Sequence, residues 1–252
     1  MSRRALGVAV FVGALGLWEA WGRGRPSFLV PPASVVLERA WEVWPTGDFL
    51  GAVGASLGRL AVGFLIGATA GLAVGLAMGA STRVRRLLEP LVDLVRSLPP
   101  IALLPVAIVV FGVGDGMRIA VIAVGLSFPI LLGALDGVRA VPPETRDTAA
   151  LLRLGAVERT LRVYLPAASP SIAAGVRVAA PIGLVLIVIS ELPGEGEGIG
   201  RYIVFQQSQF NIPEVYGGIL FLGLLGFALN ALVALAERRL LAWHDGATGA
   251  AR

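Results

Sequence analysis

RAVPPETRDTAALLRLGAVERTLRVYLPAASP, residues 139–170, is the one long polar interval in the second half of an otherwise apolar chain. Two short helices are expected in it. Pro142 and Pro143 cannot continue an incoming helix but suit the start of a new one, and Glu144 and Asp147 complement that helix's positive end. The second helix is expected to end before Pro166. Leu151, Leu152, Leu154, Val157 and Leu161 recur at roughly helical spacing, with Arg153, Glu158, Arg159 and Arg162 interleaved. That pattern describes a short amphipathic helix on a loop of a membrane protein, suited to docking against another surface. Taken alone, it fits equally a loop resting on lipid headgroups.

Composition supplies the membrane. The 252 residues are 56% hydrophobic and only 15% charged, with a mean hydropathy of +0.80, whereas soluble domains carry about 45–50% apolar and about 25% charged residues. The apolar content is gathered into runs of the roughly 20 residues that cross a bilayer. The expected fold is all-α, a polytopic integral membrane protein forming one domain over residues 1–252.

The inventory excludes several chemistries. Cysteine is absent, so there is no disulfide framework, thiol nucleophile or thiolate metal site. His244, near the tail, is the only histidine, which with no cysteine leaves no His/Cys set for a zinc centre. Every basic residue is arginine, and a phosphate-binding Walker loop needs its lysine. No catalytic residue, metal or cofactor is therefore expected on this chain. If ATP drives it, another subunit binds the ATP and its Mg. The net charge of +4 reads as membrane topology rather than nucleic-acid binding, because the arginines sit in short loops between apolar runs.

Taken in order, residues 1–21 read as a retained first span with its N-terminus inside, since no small-x-small cleavage pattern follows the apolar run. Residues 22–50 are punctuated by prolines and contain an expected interfacial helix at 34–44 on the outer face. In the second span Gly63, Gly67, Gly71, Gly75 and Gly79 fall every fourth residue, a stripe for close helix packing. Arg83, Arg85 and Arg86 mark the inside. The run 91–114 is interrupted at Pro99 and Pro100, which fits either a broken helix beside a pathway or gate, or a helix starting at Pro99 after an interfacial segment. Residues 115–118 are expected as an outer turn, 119–135 as a span with a kink at Pro129, and 171–189 as the fifth span. Arg177 stands about 9 Å into that span, within snorkelling distance of the inner face. Residues 191–216 read as a flexible, glycine-rich outer loop that lacks the GxGxxG order, and 217–235 as the sixth span. Most arginines then fall inside, with both termini cytoplasmic.

At residues 147–166 the chain resembles the permease subunits of bacterial binding-protein-dependent ABC importers. Their cytoplasmic signature runs Glu-Ala-Ala, three residues, Gly, then a hydrophobic residue shortly before Leu-Pro. Counted back from Leu165-Pro166, Asp147 takes the acidic position, Thr148 and Ala149 the alanines, Arg153 the glycine and Val163 the hydrophobic residue. With arginine at the glycine position, Gly155 is the residue expected to carry the turn. Val30-Pro31-Pro32-x-Ser34-x-Val36, Ser56-Leu57-x-Arg59-x-x-x-Gly63-Phe64, Pro99-Pro100-Ile101-Ala102-Leu103-Leu104-Pro105 with Phe111-Gly112-x-Gly114, the acidic Glu191, and Glu237-Arg238-Arg239-Leu240-x-x-Trp243 are similar to the nitrate, sulfonate and taurine group.

The resemblance implies a six-helix type I importer permease in the bacterial inner membrane, with a core over residues 50–240 and a coupling loop at 139–170. It implies that Asp147, Thr148, Ala149, Arg153, Leu154, Gly155, Ala156 and Val157 meet a cytoplasmic ABC ATPase, with Asp147 bracing the two short helices by the helix dipole or by pairing with Arg146 or Arg162. The implied partners are that ATPase, an extracytoplasmic solute-binding protein, a second permease copy and the lipid bilayer, but no nucleic acid. The implied cargo is nitrate, a sulfonate, taurine or a thiamine-precursor pyrimidine. Pro99, Pro100, Arg177 and Glu191 are candidates for the pathway or its gate. An ion-coupled secondary carrier is the alternative, and it would want an embedded carboxylate relay or an internal repeat. A non-transporting structural subunit is a third possibility.

Overall fold

The computed structural model describes residues 3–24 and 27–242. His244, Arg25, Arg252 and the Trp243 of the closing motif lie outside the described residues. Among the described residues, eleven α-helices run in order: α1 Arg3–Gly24, α2 Ala33–Val43, α3 Gly47–Ala80, α4 Thr82–Arg96, α5 Leu104–Phe111, α6 Asp115–Arg139, α7 Pro143–Leu151, α8 Ala156–Arg159, α9 Leu165–Ser190, α10 Ile199–Ser208 and α11 Ile212–Leu240. A 3-10 turn, Pro100–Leu103, precedes α5, and a π-helical turn, Thr160–Tyr164, joins α8 to α9. No strand occurs among the described residues.

Among the described residues, four helical stretches are long and apolar enough to cross a membrane: Gly47–Ala80, Asp115–Arg139, Ala156–Ser190 and Ile212–Leu240. A fifth exists if the pair Thr82–Arg96 and Pro100–Phe111, bent by 93° at its break, counts as one span. The 22-residue α1, with charged residues near both ends, is not among them.

The helices fall into two compact units. The first comprises residues to Ser56 together with Glu195–Leu224. Within it, α2 begins at a proline cap that offers no side-chain acceptor. Glu19 of α1 supplies one instead, accepting from the Ser34 N–H at 2.9 Å and from its Oγ at 2.9 Å, as a carboxylate near a helix N-terminus should. Trp18 Nε1 donates to the Pro31 carbonyl at 3.1 Å, and Tyr216 Oη donates to that of Leu29 at 3.2 Å. Phe49 meets Tyr202 and Phe221 edge-on, each at 5.0 Å between centroids.

The expectation of a flexible loop over 191–216 fails at α10. Ile199 is fully buried, and its N–H donates to Ser56 Oγ at 2.9 Å. That acceptor, from a residue far away in sequence, satisfies an early amide of a helix whose cap residue is Gly198.

The second unit comprises Leu57–Gly194 with the chain from Leu225 onward. Its core is the long contact between α6 and α9, where Met117, Ile122, Leu126 and Ile130 interdigitate with Ala179, Leu186 and Ile187. A smaller cluster of Leu76, Ala134, Val138, Val141, Tyr164 and Ala168 lies toward the other end. The glycine stripe lies against α6. A Cβ at Gly67, Gly71 or Gly75 would stand 2.4 Å from the carbonyl oxygens of Ala123, Ser127 and Leu131, so backbone meets backbone there.

Ser81 caps α4 by accepting from the Val84 N–H at 3.4 Å. Two expected boundaries are corrected in this unit. The turn expected at 115–118 is the first turn of α6. The helix expected to stop before Pro166 runs through it. A proline ring collides with the carbonyl four residues back in a regular helix. Here the widened turn just upstream, closed by the Leu165 N–H to the Thr160 carbonyl, precedes the proline and reshapes the helix at that point.

Candidate functional site: the α6–α9 connection

The connection between α6 and α9 is built from two anchored ends and a tight turn. At its start, α7 has Pro142 as cap and proline at its first position, where the missing N–H costs nothing. Arg146, on the second turn, folds back onto the end of α6. Its Nη2 donates to the Val138 carbonyl at 2.7 Å and to that of Arg139 at 3.1 Å, and its Nε donates to Val141 at 3.1 Å. These carbonyls lie in or just beyond the last turn of α6, where a helix leaves acceptors unsatisfied and favours a cation.

The turn after α7 is carried by Arg153, not Gly155. Arg153 adopts φ +52°, whereas Gly155 is extended at φ −62° and ψ 160°. The Leu154 N–H donates to the Ala149 carbonyl at 3.2 Å and the Arg153 N–H to that of Ala150 at 2.9 Å. This pair of bonds is a Schellman ending, which needs one left-handed residue at the position Arg153 holds. At the position counted from Leu165-Pro166, arginine accepts a conformation that glycine would adopt more cheaply.

The amphipathic helix expected over 151–161 is accordingly broken at 152–155. Its apolar residues flank the turn instead, with Leu151 83%, Leu152 67% and Val157 72% exposed. Of the signature residues, Ala149 alone is buried, while Asp147, Thr148, Arg153, Gly155 and Ala156 are exposed and Leu154 is half-buried. Asp147 pairs with neither expected arginine among the described residues. Arg146 is bound to the carbonyls of α6, and Arg162 pairs with Glu158 at 3.0 Å.

The four pathway candidates do not form one site. Pro99 caps the 3-10 turn, and Pro100 lines an apolar groove with Ile101, Pro181, Ile182, Val185 and Leu186. Arg177 forms an ion pair with Glu237 of α11. Glu191 lies 14 residues further along the chain, about 21 Å away at the helical rise.

Glu191 is fully buried and accepts from Arg59 Nη1 at 2.9 Å; Arg59 Nε also donates to Asp115 Oδ1 at 2.7 Å, and Arg118 Nη1 reaches the same oxygen at 3.1 Å. This four-residue network ties α3, α6 and the end of α9. Sequence reasoning placed its members separately, as a motif arginine, an outer turn and an acid at the start of a loop. The available signal was two opposite charges, Arg59 and Glu191, each set among apolar residues where a lone charge would be expensive.

A chain of apolar helices of spanning length, with its polar residues gathered at helix ends and in one connecting loop, is a polytopic membrane protein. The family of binding-protein-dependent transport system inner membrane components matches residues 63–242, and the chain belongs to it. It is 32% identical to a Bacillus subtilis protein named for aliphatic sulfonate transport, permease protein SsuC, over 93% of this chain and 86% of that one. It is 30% identical to the nitrate import permease protein NrtB of Leptolyngbya laminosa, over 95% of this chain and 88% of that one. It is likewise 30% identical to the bicarbonate transport system permease protein CmpB of Synechococcus elongatus, over 94% and 89%. A solved amino acid ABC transporter with histidines shares the fold, with a TM-score of 0.59 at 18% identity over 79% of this chain and 97% of that one. The protein is thus a transport permease of the inner membrane and not an enzyme.

Proposed function

We propose that the chain is the membrane subunit of an ATP-driven importer in which the turn after α7 docks on a cytoplasmic ABC ATPase. The observation that carries this is the apolar rim of Leu151, Leu152 and Val157 around an arginine-bearing, hydrogen-bonded turn. A loop that merely connected two spans through water would gain nothing by exposing three large apolar side chains, and membership of the transport family favours a protein partner over lipid headgroups as what covers them. Family membership supports the rest of the assembly: a separate ATPase that holds ATP and Mg, an extracytoplasmic binding protein and a second permease copy.

In this reading residues 1–252 form one permease domain. α1 and the bent pair join the four long helices to give six spans with both termini in the cytoplasm. Arg83, Arg85 and Arg86 after α3, Arg139, Arg146, Arg153, Arg159 and Arg162 between α6 and α9, and Arg238 and Arg239 at the end of α11 then share the inner side. Nucleotide binding to the ATPases moves the docked turns and biases an equilibrium between inward-open and outward-open states. The relatives' names point to a small oxyanion or sulfonate as cargo.

The test is reconstitution into liposomes with the companion ATPase and binding protein, followed by uptake of labelled taurine, nitrate and bicarbonate. Uptake of at least one that requires all three components and ATP is expected. Uptake by this chain alone, driven by an ion gradient, would make it a secondary carrier.

A further inference from the structure

We propose that Arg146 is the positioning residue that makes α7 and α6 move as one piece, so that force applied at the α7 turn reaches the membrane through α6. The proposal rests on the docking reading above. Two connections lead out of the turn, and they differ in kind. Toward α9 the chain is continuous helix, but it passes through the π-helical turn Thr160–Tyr164, the only such turn among the described residues. Widened turns of this sort are local irregularities in the helical ladder and recur at functional positions. Toward α6 the chain leaves regular helix over Ala140, Val141 and Pro142, where the Val141 N–H reaches the Val138 carbonyl at 3.3 Å in place of a continuous helical ladder, and that break would act as a joint.

Arg146 removes that freedom. From the α7 side, one guanidinium spans three carbonyls, those of Val138 and Arg139 at the end of α6 and that of Val141 within the break, at 2.7–3.1 Å. Charge-assisted bonds of this length are strong, and the planar fork fixes direction as well as distance. The ground under the fork is firm, since Val138 and Val141 are buried with Tyr164 and Ala168. α6 in turn is locked to α9 by close backbone approach, where a Cβ at Gly133 would stand 2.5 Å from the Ser171 carbonyl oxygen. A push on α7 therefore moves the α6–α9 pair, while the bulge absorbs the mismatch on the other route. Lysine, with one point charge, holds the carbonyls without fixing the angle.

The experiment uses the chain assembled with its ATPase in lipid nanodiscs. Val124→Cys places a single thiol on the exposed side of α6 in a chain with no native cysteine, and its rate of maleimide labelling is measured with and without ATP. The unmodified assembly is expected to show an ATP-dependent change in that rate. Arg146→Ala should retain the bound ATPase yet shrink the change at least tenfold, the scale of losing even one of its three charge-assisted bonds, and Arg146→Lys should restore part of it. If Arg146→Ala disrupts assembly, Arg146→Lys and Arg146→Gln carry the comparison, and their graded responses must follow the order Arg, Lys, Gln. An ATP-dependent change in Arg146→Ala or Arg146→Gln equal to that of the unmodified chain overturns the proposal. Leu151→Asp separates the two readings. Loss of the ATPase on this substitution supports docking at the turn; full retention overturns the docking reading and this proposal with it.

Discussion

Glu191 is wholly shielded from solvent, yet its carboxylate accepts a 2.9 Å bond from Arg59, a residue 132 positions earlier. Removing one partner of such a buried pair strands the other, which costs about 3–5 kcal/mol, whereas removing both can be near neutral. Arg59→Leu should therefore lower the thermal unfolding midpoint by on the order of 10 °C. Glu191→Gln keeps an acceptor for Arg59 and should cost less. The double variant Arg59→Leu/Glu191→Leu should recover much of the loss, as measured by unfolding in detergent or nanodiscs. A double variant as unstable as the sum of the single ones would mean the two side chains do not depend on each other.

Arg153 holds the left-handed position that ends α7. A residue with a Cβ is strained there by about 1 kcal/mol relative to glycine, and a β-branched residue by more. Arg153→Gly should leave the protein as stable or more so by up to about 1 kcal/mol, while Arg153→Val should destabilise it. Both effects should appear as changed hydrogen exchange at the Arg153 and Leu154 amides, the two donors of the turn.

The glycine stripe gives a sharper contrast. A methyl at Gly71 would meet the Ser127 carbonyl oxygen at 2.4 Å, whereas nothing lies within 4 Å of a Cβ at Gly58 on the same helix. Gly71→Ala should part α3 from α6 and cost about 1–3 kcal/mol. Gly58→Ala should be neutral or stabilising by up to about 1 kcal/mol through helix propensity alone. Folded yield and unfolding midpoint of the two variants separate these outcomes.

Arg177 and Glu237 pair across α9 and α11. Reversing either charge alone places like charges together and should reduce folded yield. Reversing both, Arg177→Glu with Glu237→Arg, should restore it. Failure of the exchange to restore yield would assign Arg177 a role beyond this pair.

The sequence made the helical membrane architecture legible because its signals are local: apolar runs of spanning length, and glycines at a four-residue interval that can only line one face. The turn after α7 was legible only approximately, since residue chemistry pointed to Gly155 whereas Arg153 carries it. Backbone hydrogen bonds from Arg153 and Leu154 to the end of α7 outweighed the preference of arginine against positive φ, a cap geometry that single-residue propensity does not record. α10 was hidden for a related reason, since glycines and glutamates flank it and Ser56 assists its start from 143 residues away. The Arg59–Glu191 network stayed invisible because pairing across 132 residues leaves no trace in periodicity.

The sidedness of the α7 turn tests the importer reading most directly. Leu152→Cys gives a single exposed thiol in this cysteine-free chain, and a membrane-impermeant maleimide can be applied to inside-out and right-side-out vesicles, with and without bound ATPase. Labelling only in inside-out vesicles, and protection when the ATPase is bound, is the expected result. Labelling from the outer side, or labelling from the inner side that the ATPase leaves unchanged, would contradict a lever that faces the cytoplasm and carries the motor.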